Sequence, residues 1–252
     1  MIVDAHQHFW DPARAHYPWM TDDLRRRYGP EDLEPVLVEH GIAGTVVVQA
    51  RHSLDETREL LEIAGATPFV LGVVGWLDLT GDVEQQLASL DGTLVGVRHQ
   101  VHDEPDAAWL LRDDVQRGLG AIGEAGLVYD LLVRTRELPA AVETVRRNPG
   151  TRFVLDHVAK RPREDEGWAR GVAALAELPN VACKLSGLFT EYDPQGTVER
   201  ALAWFGPERC MFGSDWPVWT GYGEALAIVG SDEQVLARTA IRTYGLECRF
   251  AA

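Results

Sequence analysis

The 252-residue chain is short of cysteine, short of positive charge and without long apolar runs, and each shortage removes a class of protein. Its three cysteines, Cys183, Cys210 and Cys248, are odd in number and form no CxxC pair. Reduced buried thiols are therefore expected, not a disulfide framework or a thiolate zinc site. Lys and Arg total 24 against 39 Asp and Glu, and the resulting net charge of -15 repels polyanions. Nucleic acid and anionic membrane surfaces are thus poor partners. No stretch reaches about 18 uncharged apolar residues, so no membrane span is expected. The opening MIVDAHQHF lacks the basic region and apolar core of a secretory signal, which makes a soluble cytoplasmic protein the expectation. No GxGxxG or GxxxxGK[ST] follows a strand-like run, and no low-complexity linker or fixed-period repeat is present.

What is present is 46% hydrophobic sequence arranged in alternating patterns. Eight short β-rich runs recur: IVDA (2–5), TVVVQA (45–50), FVLGVVGW (69–76), TLVGVR (93–98), GLVYDLLV (126–133), RFVLDH (152–157), NVACKLSG (180–187) and RCMFGSD (209–215). Between them lie helical spacings, such as Leu33, Val36 and Leu37 before Gly41, or Leu138, Ala141, Val142 and Val145 before Pro149. Several runs are almost continuously apolar, as strands covered on both faces are, which predicts a parallel sheet. Eight strand-helix repeats in this length fit one α/β domain over residues 1–252, a closed (β/α)8 TIM barrel, better than an open doubly wound sheet.

A parallel barrel carries its chemistry at the C-terminal ends of its strands, and here most runs end in polar residues. Run one ends in His6 and His8; run two in Gln49, Arg51 and His52; run three in Trp76 and Asp78; run four in Arg98, His99, Gln100 and His102. Run five carries Tyr129 and Asp130, run six Asp156, His157 and Lys160, run seven Lys184 and Ser186, and run eight Ser214, Asp215 and Trp216. A strand has period two, so His6 and His8 project to one side and both rings reach one ligand; alternatively they form a structural hydrogen-bonded pair. Asp215, in GSDWP, faces them across the seam where a barrel closes. It is read as a general base on water, a metal ligand with His6 and His8, or a cap of the turn before Pro217. His157 either binds metal or polarises a carbonyl, or is a satisfied core histidine. Arg98 is costly to bury unpaired, so it pairs with an acid such as Asp130 or awaits a ligand oxygen. Arg51, Gln100 and Lys184 are substrate-binding candidates, as are the aromatic Trp76 and Trp216 and Tyr17 of the long loop from Asp11 to Gly29. His40 is read as a helix C-terminal residue favoured by the dipole.

At VDAHQHFWDP, VGVRHQV, VLDHVAK and MFGSDWPV the chain resembles the amidohydrolase superfamily, specifically the branch of lactone hydrolases that includes fuconolactonases, rhamnonolactonases and pyrone-dicarboxylate lactonases. The likeness runs from residue 2 to about residue 245. The resemblance implies a (β/α)8 barrel in which Asp215 activates water for attack on a lactone carbonyl. It further implies that His6, His8 and His157 line that water or bind a single divalent ion, and that Arg98 holds the substrate carbonyl or carboxylate. Run four ends in Arg98 where binuclear relatives carry a bridging carboxylated lysine, and run five offers Tyr129 and Asp130 where they carry a histidine, so two metals are not expected. The cofactor expectation is either none or one zinc-like divalent ion on His6, His8 and Asp215. The expected partner is a small lactone, with homo-oligomerisation left open. A sugar lactone is favoured by the His, Gln, Asp and Trp around the mouth; a carboxylate-bearing lactone read by Arg51, Arg98 and Lys184 is the alternative. Two other readings share these residues: a mononuclear zinc decarboxylase of an unsaturated or aromatic acid, and a non-catalytic sugar-acid binder.

Overall fold

The computed structural model describes residues 1–163 and 166–246, and Cys248 lies outside the described residues. Eight parallel strands form one sheet in sequence order: β1 (Val3–Gln7), β2 (Gly44–Val48), β3 (Val70–Gly75), β4 (Leu94–His99), β5 (Val128–Leu131), β6 (Arg152–Leu155), β7 (Val181–Leu185) and β8 (Cys210–Phe212). Each coincides with one expected run. Helices fill the intervals, among them α1 (Pro30–His40), α2 (Leu54–Ala66), α3 (Val83–Ala88), α4 (Asp113–Glu124), α5 (Leu138–Arg147), α6 (Glu166–Ala176), α7 (Pro194–Phe205), α8 (Tyr222–Ile228) and α9 (Thr239–Tyr244). His40 does end α1, where the left-handed Gly41 follows it and the imidazole stacks on Tyr222. Cys183 and Cys210 are free and buried, as reduced thiols should be. Among the described residues no helix is long and apolar enough to cross a membrane.

The barrel interior is apolar below and polar above. Val3, Ala5, Val46, Val48, Val74, Val128, Val154, Ala182 and Met211 make one buried cluster, which the C-terminal segment joins through Ala237, Ala240, Tyr244 and Leu246. The register of β1 against β2 slips between Asp4 and Gln7. Such a bulge inserts one extra residue, so Ala5 belongs to the apolar interior and His6, its neighbour, also turns inward.

The strands end earlier or later than their apolar runs. β8 stops at Phe212, and the closure of the barrel is made beyond it: Asp215 N–H donates to the His6 carbonyl and His8 N–H to the Trp216 carbonyl, each at 2.8 Å. Buried Asp4 fastens this seam, its carboxylate accepting from the backbone N–H of His6 and Ser214, the Ser214 hydroxyl and the Tyr222 hydroxyl. β6 stops at Leu155, and the chain then takes a left-handed run in which His157, Val158, Ala159 and Lys160 have φ of 54°, 49°, 57° and 49°. Consecutive non-glycine residues in that region are rare and carry strain, which clusters at functional positions.

Candidate active site

His6, His8, His157 and Asp215 converge at the top of the barrel. Nε2 of His6 and Nε2 of His8 are 3.2 Å apart, and Asp215 Oδ1 lies 3.6 Å from the first and 3.4 Å from the second. His157 Nε2 stands 4.0 Å from the same oxygen. All four side chains are buried. The geometry answers the question of tautomers: His8 Nδ1 must donate to the Val48 carbonyl at 2.7 Å, which leaves its Nε2 with a lone pair. His6 Nε2 receives the Arg98 guanidinium at 3.2 Å and so is also unprotonated, while its Nδ1 faces Asp156 Oδ1 at 3.5 Å. Two lone pairs and a carboxylate oxygen thus point at one another.

Burial sets the protonation states. It pushes the His6, His8 and His157 imidazoles below their ordinary range, His157 to about 4, so all are neutral near pH 7. Burial alone would raise the Asp215 carboxyl, but the facing His157, His8 and His6 outweigh it and hold Asp215 well below the usual carboxylate range. Asp215 is therefore an anion beside neutral rings. Its own backbone is left-handed, with φ of 60°, and the neighbouring peptides are tied into the β1 seam.

The donor set suits one divalent cation. Zinc bonds to nitrogen and oxygen are about 2.0–2.1 Å, and tetrahedral ligands on such bonds stand roughly 3.3 Å apart. The separations of 3.2, 3.4 and 3.6 Å among His6, His8 and Asp215 lie around that value. His6, His157 and Asp215 form a second combination, with donor atoms all within 4.8 Å of one another. The His6 Nε2 lone pair accepts from Arg98, a contact that an ion there would have to displace, whereas His8 Nε2 receives no guanidinium. A further grouping of His52, His99 and Glu104 is different in kind. Trp76 Nε1 donates to His99 Nδ1 at 3.0 Å, so the His99 proton sits on Nε2, 2.7 Å from Glu104, and His52 Nε2 accepts from Gln100 N–H. Those atoms are already used, and the rings stack as a wall with Trp109.

A charged layer supports the floor. Arg98 donates to Asp156 Oδ2 at 3.0 Å and to the Gln49 carbonyl; Lys184 lies between Asp130 and Asp156, 3.2 Å from the latter, and the Tyr244 hydroxyl also donates to Asp130. Arg98 thus pairs with Asp156, and Asp130, the acid suggested by adjacency, is taken by Lys184 and Tyr244. Burial raises Asp130, with Lys184 opposing, whereas Lys184, His6 and Arg98 overcome burial at Asp156 and hold it low.

A cavity of about 340 Å³ opens above this floor, lined by His8, Arg98, Gln100, His157, Lys160 and Asp215 among others. Of the residues expected to touch substrate, Arg98 and Gln100 lie on it, whereas Arg51, Lys184, Trp76, Trp216 and Tyr17 do not. Lys184 is fully buried in its ion pairs beneath the floor. Trp216 turns away to pack on Phe9 and Tyr28, Trp76 is held by His99, and Tyr17 is buried against Trp10. Arg51 lines a neighbouring cavity and pairs with Glu56 at 3.7 Å. The cavity also uses Trp19, whose indole N–H donates to the Ala50 carbonyl at 2.7 Å, and Arg134, which follows β5. Arg134 carries the same signal that marked Arg98, a cation just past an apolar run. Asp4, which holds the seam, was signalled by a charge inside one.

The chain belongs to the amidohydrolase family, whose model matches residues 3–246, and is a hydrolase of that family. It is 41% identical over 232 residues to an L-fucono-1,5-lactonase of Burkholderia ambifaria, covering 86% of this chain and 80% of the relative. It is 40% identical over 242 residues to an L-fucono-1,5-lactonase of Burkholderia multivorans, covering 86% and 82%. Among solved structures, a Burkholderia multivorans amidohydrolase with bound zinc superposes with a TM-score of 0.93 at 35% identity, covering 98% of this chain and 100% of that one.

Proposed function

We propose that the protein opens the ester of a sugar lactone by attack of water, with Asp215 as general base. The observation that carries this reading is the buried Asp215 carboxylate, held anionic beside the unprotonated Nε2 atoms of His6 and His8 at the edge of the cavity. A carboxylate so placed accepts the proton that water loses as it adds to the carbonyl. The added proton then has neutral His157 beside it, whose Nδ1 is tied to the Ser186 hydroxyl at 2.9 Å, to pass on toward the ring oxygen as that bond breaks. His6, His8 and Asp215 would hold a divalent ion, which supplies a more acidic water and a Lewis acid for the carbonyl. Arg98, pinned by Asp156 and Gln49, keeps positive charge under the site.

The lactonase names of the relatives at 40–41% identity support a hydrolase of this substrate class. The neutral sugar lactone is supported by the substrate in those names, and the three cations expected to read a substrate carboxylate, Arg98, Arg51 and Lys184, are each paired with an acid of the protein. The test is proton release from aldonolactones, muconolactones and a pyrone-dicarboxylate, run with and without chelator on enzyme of known metal content. Aldonolactones should be opened, and Asp215→Asn should lose roughly 10²- to 10⁴-fold in kcat/KM. Undiminished hydrolysis by Asp215→Asn overturns the mechanism.

A further inference from the structure

The basic groups of the barrel floor and mouth are matched by acids, with one exception. Arg98 has Asp156, Lys184 has Asp130 and Asp156, Arg51 has Glu56, and Arg134 has Glu191 at 3.7 Å. Lys160 lines the same cavity as Asp215 and His157, yet among the described residues no carboxylate lies within 4.0 Å of its ammonium group. Glu191 and Asp103 act on it from farther off, and of the acids around it Asp215 exerts the strongest field. Lys160 is only partly exposed. It closes the left-handed run that starts at His157, and its N–H donates to the His157 carbonyl at 2.8 Å, so one strained turn presents both side chains to the cavity. Val158 and Ala159 between them are fully buried, and the Val158 carbonyl is held by the Trp168 indole at 2.7 Å. The Lys160 side chain therefore leaves a fixed backbone.

A partly buried cation without a counterion is a receptor for negative charge or for strong acceptor oxygens. Resting on the lactonase reading, the chemistry supplies such a group: the substrate is neutral, and its acyl carbon leaves as a carboxylate. We infer that Lys160 binds the acyl oxygens of the ligand and holds the aldonate product more tightly than the lactone. It is a specificity-determining residue for the acid formed, distinct from the groups that activate water.

Calorimetric titration of an aldonate such as gluconate or fuconate into the whole protein, beside the neutral lactone analogue with a methylene in place of the ring oxygen, reads this without turnover. Lys160→Asn removes the charge and keeps a residue that tolerates positive φ; Lys160→Arg keeps the charge. Aldonate affinity should fall roughly ten- to hundredfold in Lys160→Asn, the range of a charge-assisted hydrogen bond, and recover substantially in Lys160→Arg. Affinity for the neutral analogue should change far less. An equal loss for both ligands, unchanged aldonate affinity in Lys160→Asn, or no aldonate binding by the unmodified protein each overturns the assignment. Failure of the lactonase reading is recognised separately, as absence of lactone hydrolysis by the unmodified enzyme.

Discussion

Gly187 sits directly behind His157, and replacing it with alanine separates the effect of backbone strain from the effect of position. Its φ is +60°, and a β-carbon there would lie 2.5 Å from His157 Nδ1 and 3.1 Å from Asp215 Oδ2. Left-handed backbone costs an L-residue about 1–2 kcal/mol. For a chain of this size each kcal/mol lowers Tm by about 2–4 °C, so strain alone predicts a fall of roughly 2–8 °C. The collision adds something different. The imidazole must retreat by about 0.9 Å to reach ordinary contact at 3.4 Å, which breaks the His157 to Ser186 hydrogen bond at 2.9 Å. A misplacement near 1 Å at a reacting centre costs on the order of 10²-fold, and that is the expected loss in kcat/KM. Gly41→Ala is the matched control, because Gly41 has φ of +65° with nothing within 4 Å of the added carbon. It should melt lower by a similar amount and keep its activity. Thermal melts and lactone kinetics on the two variants decide the matter: equal kcat/KM in Gly187→Ala and Gly41→Ala would refute the claim that His157 must stand where it does.

Two further outcomes follow from the charged interior. Lys184→Met removes the cation shared by Asp130 and Asp156 and leaves two buried acids facing each other, a change that costs about 3–5 kcal/mol when one partner of a buried pair is deleted. Denaturant unfolding should show that loss, and a loss under about 1 kcal/mol would mean the layer is not held as described. Glu56 is buried, and although the Ala50 and Arg51 N–H groups hold its charged form, burial prevails and pushes its carboxyl up to about 7. A carboxyl raised in the folded state binds more protons there than in the unfolded chain, so its contribution is complete below about 4.5 and is lost as pH rises through about 7. Unfolding free energies measured at pH 5 and pH 8 should therefore differ less in Glu56→Gln than in the unmodified protein; identical pH slopes would contradict the assignment.

The eight strands, their order and the pairing of His6 with His8 on one side were legible in the sequence because they depend on local pattern. Apolar runs, turn residues and period two are properties of neighbours along the chain. The polar residues that end those runs marked the face of the barrel that carries Asp215, His157 and Arg98. Which group each of them meets was decided by the tertiary structure. Arg98 finds Asp156 two strands away, not Asp130 on the adjacent strand, because Asp130 points into the layer occupied by Lys184 and by Tyr244 arriving from the C-terminal helix. Lys184 is as prominent in sequence as Lys160, yet the first is buried in ion pairs and the second lines the cavity with no carboxylate within 4.0 Å among the described residues. Trp216 looks like a pocket wall beside Asp215 and is instead packed outward on Phe9 and Tyr28. Such choices turn on barrel closure, on the bulge in β1 and on the left-handed run after β6. Those features set direction and depth for each side chain through contacts between residues far apart in sequence, and a local pattern contains no term for them.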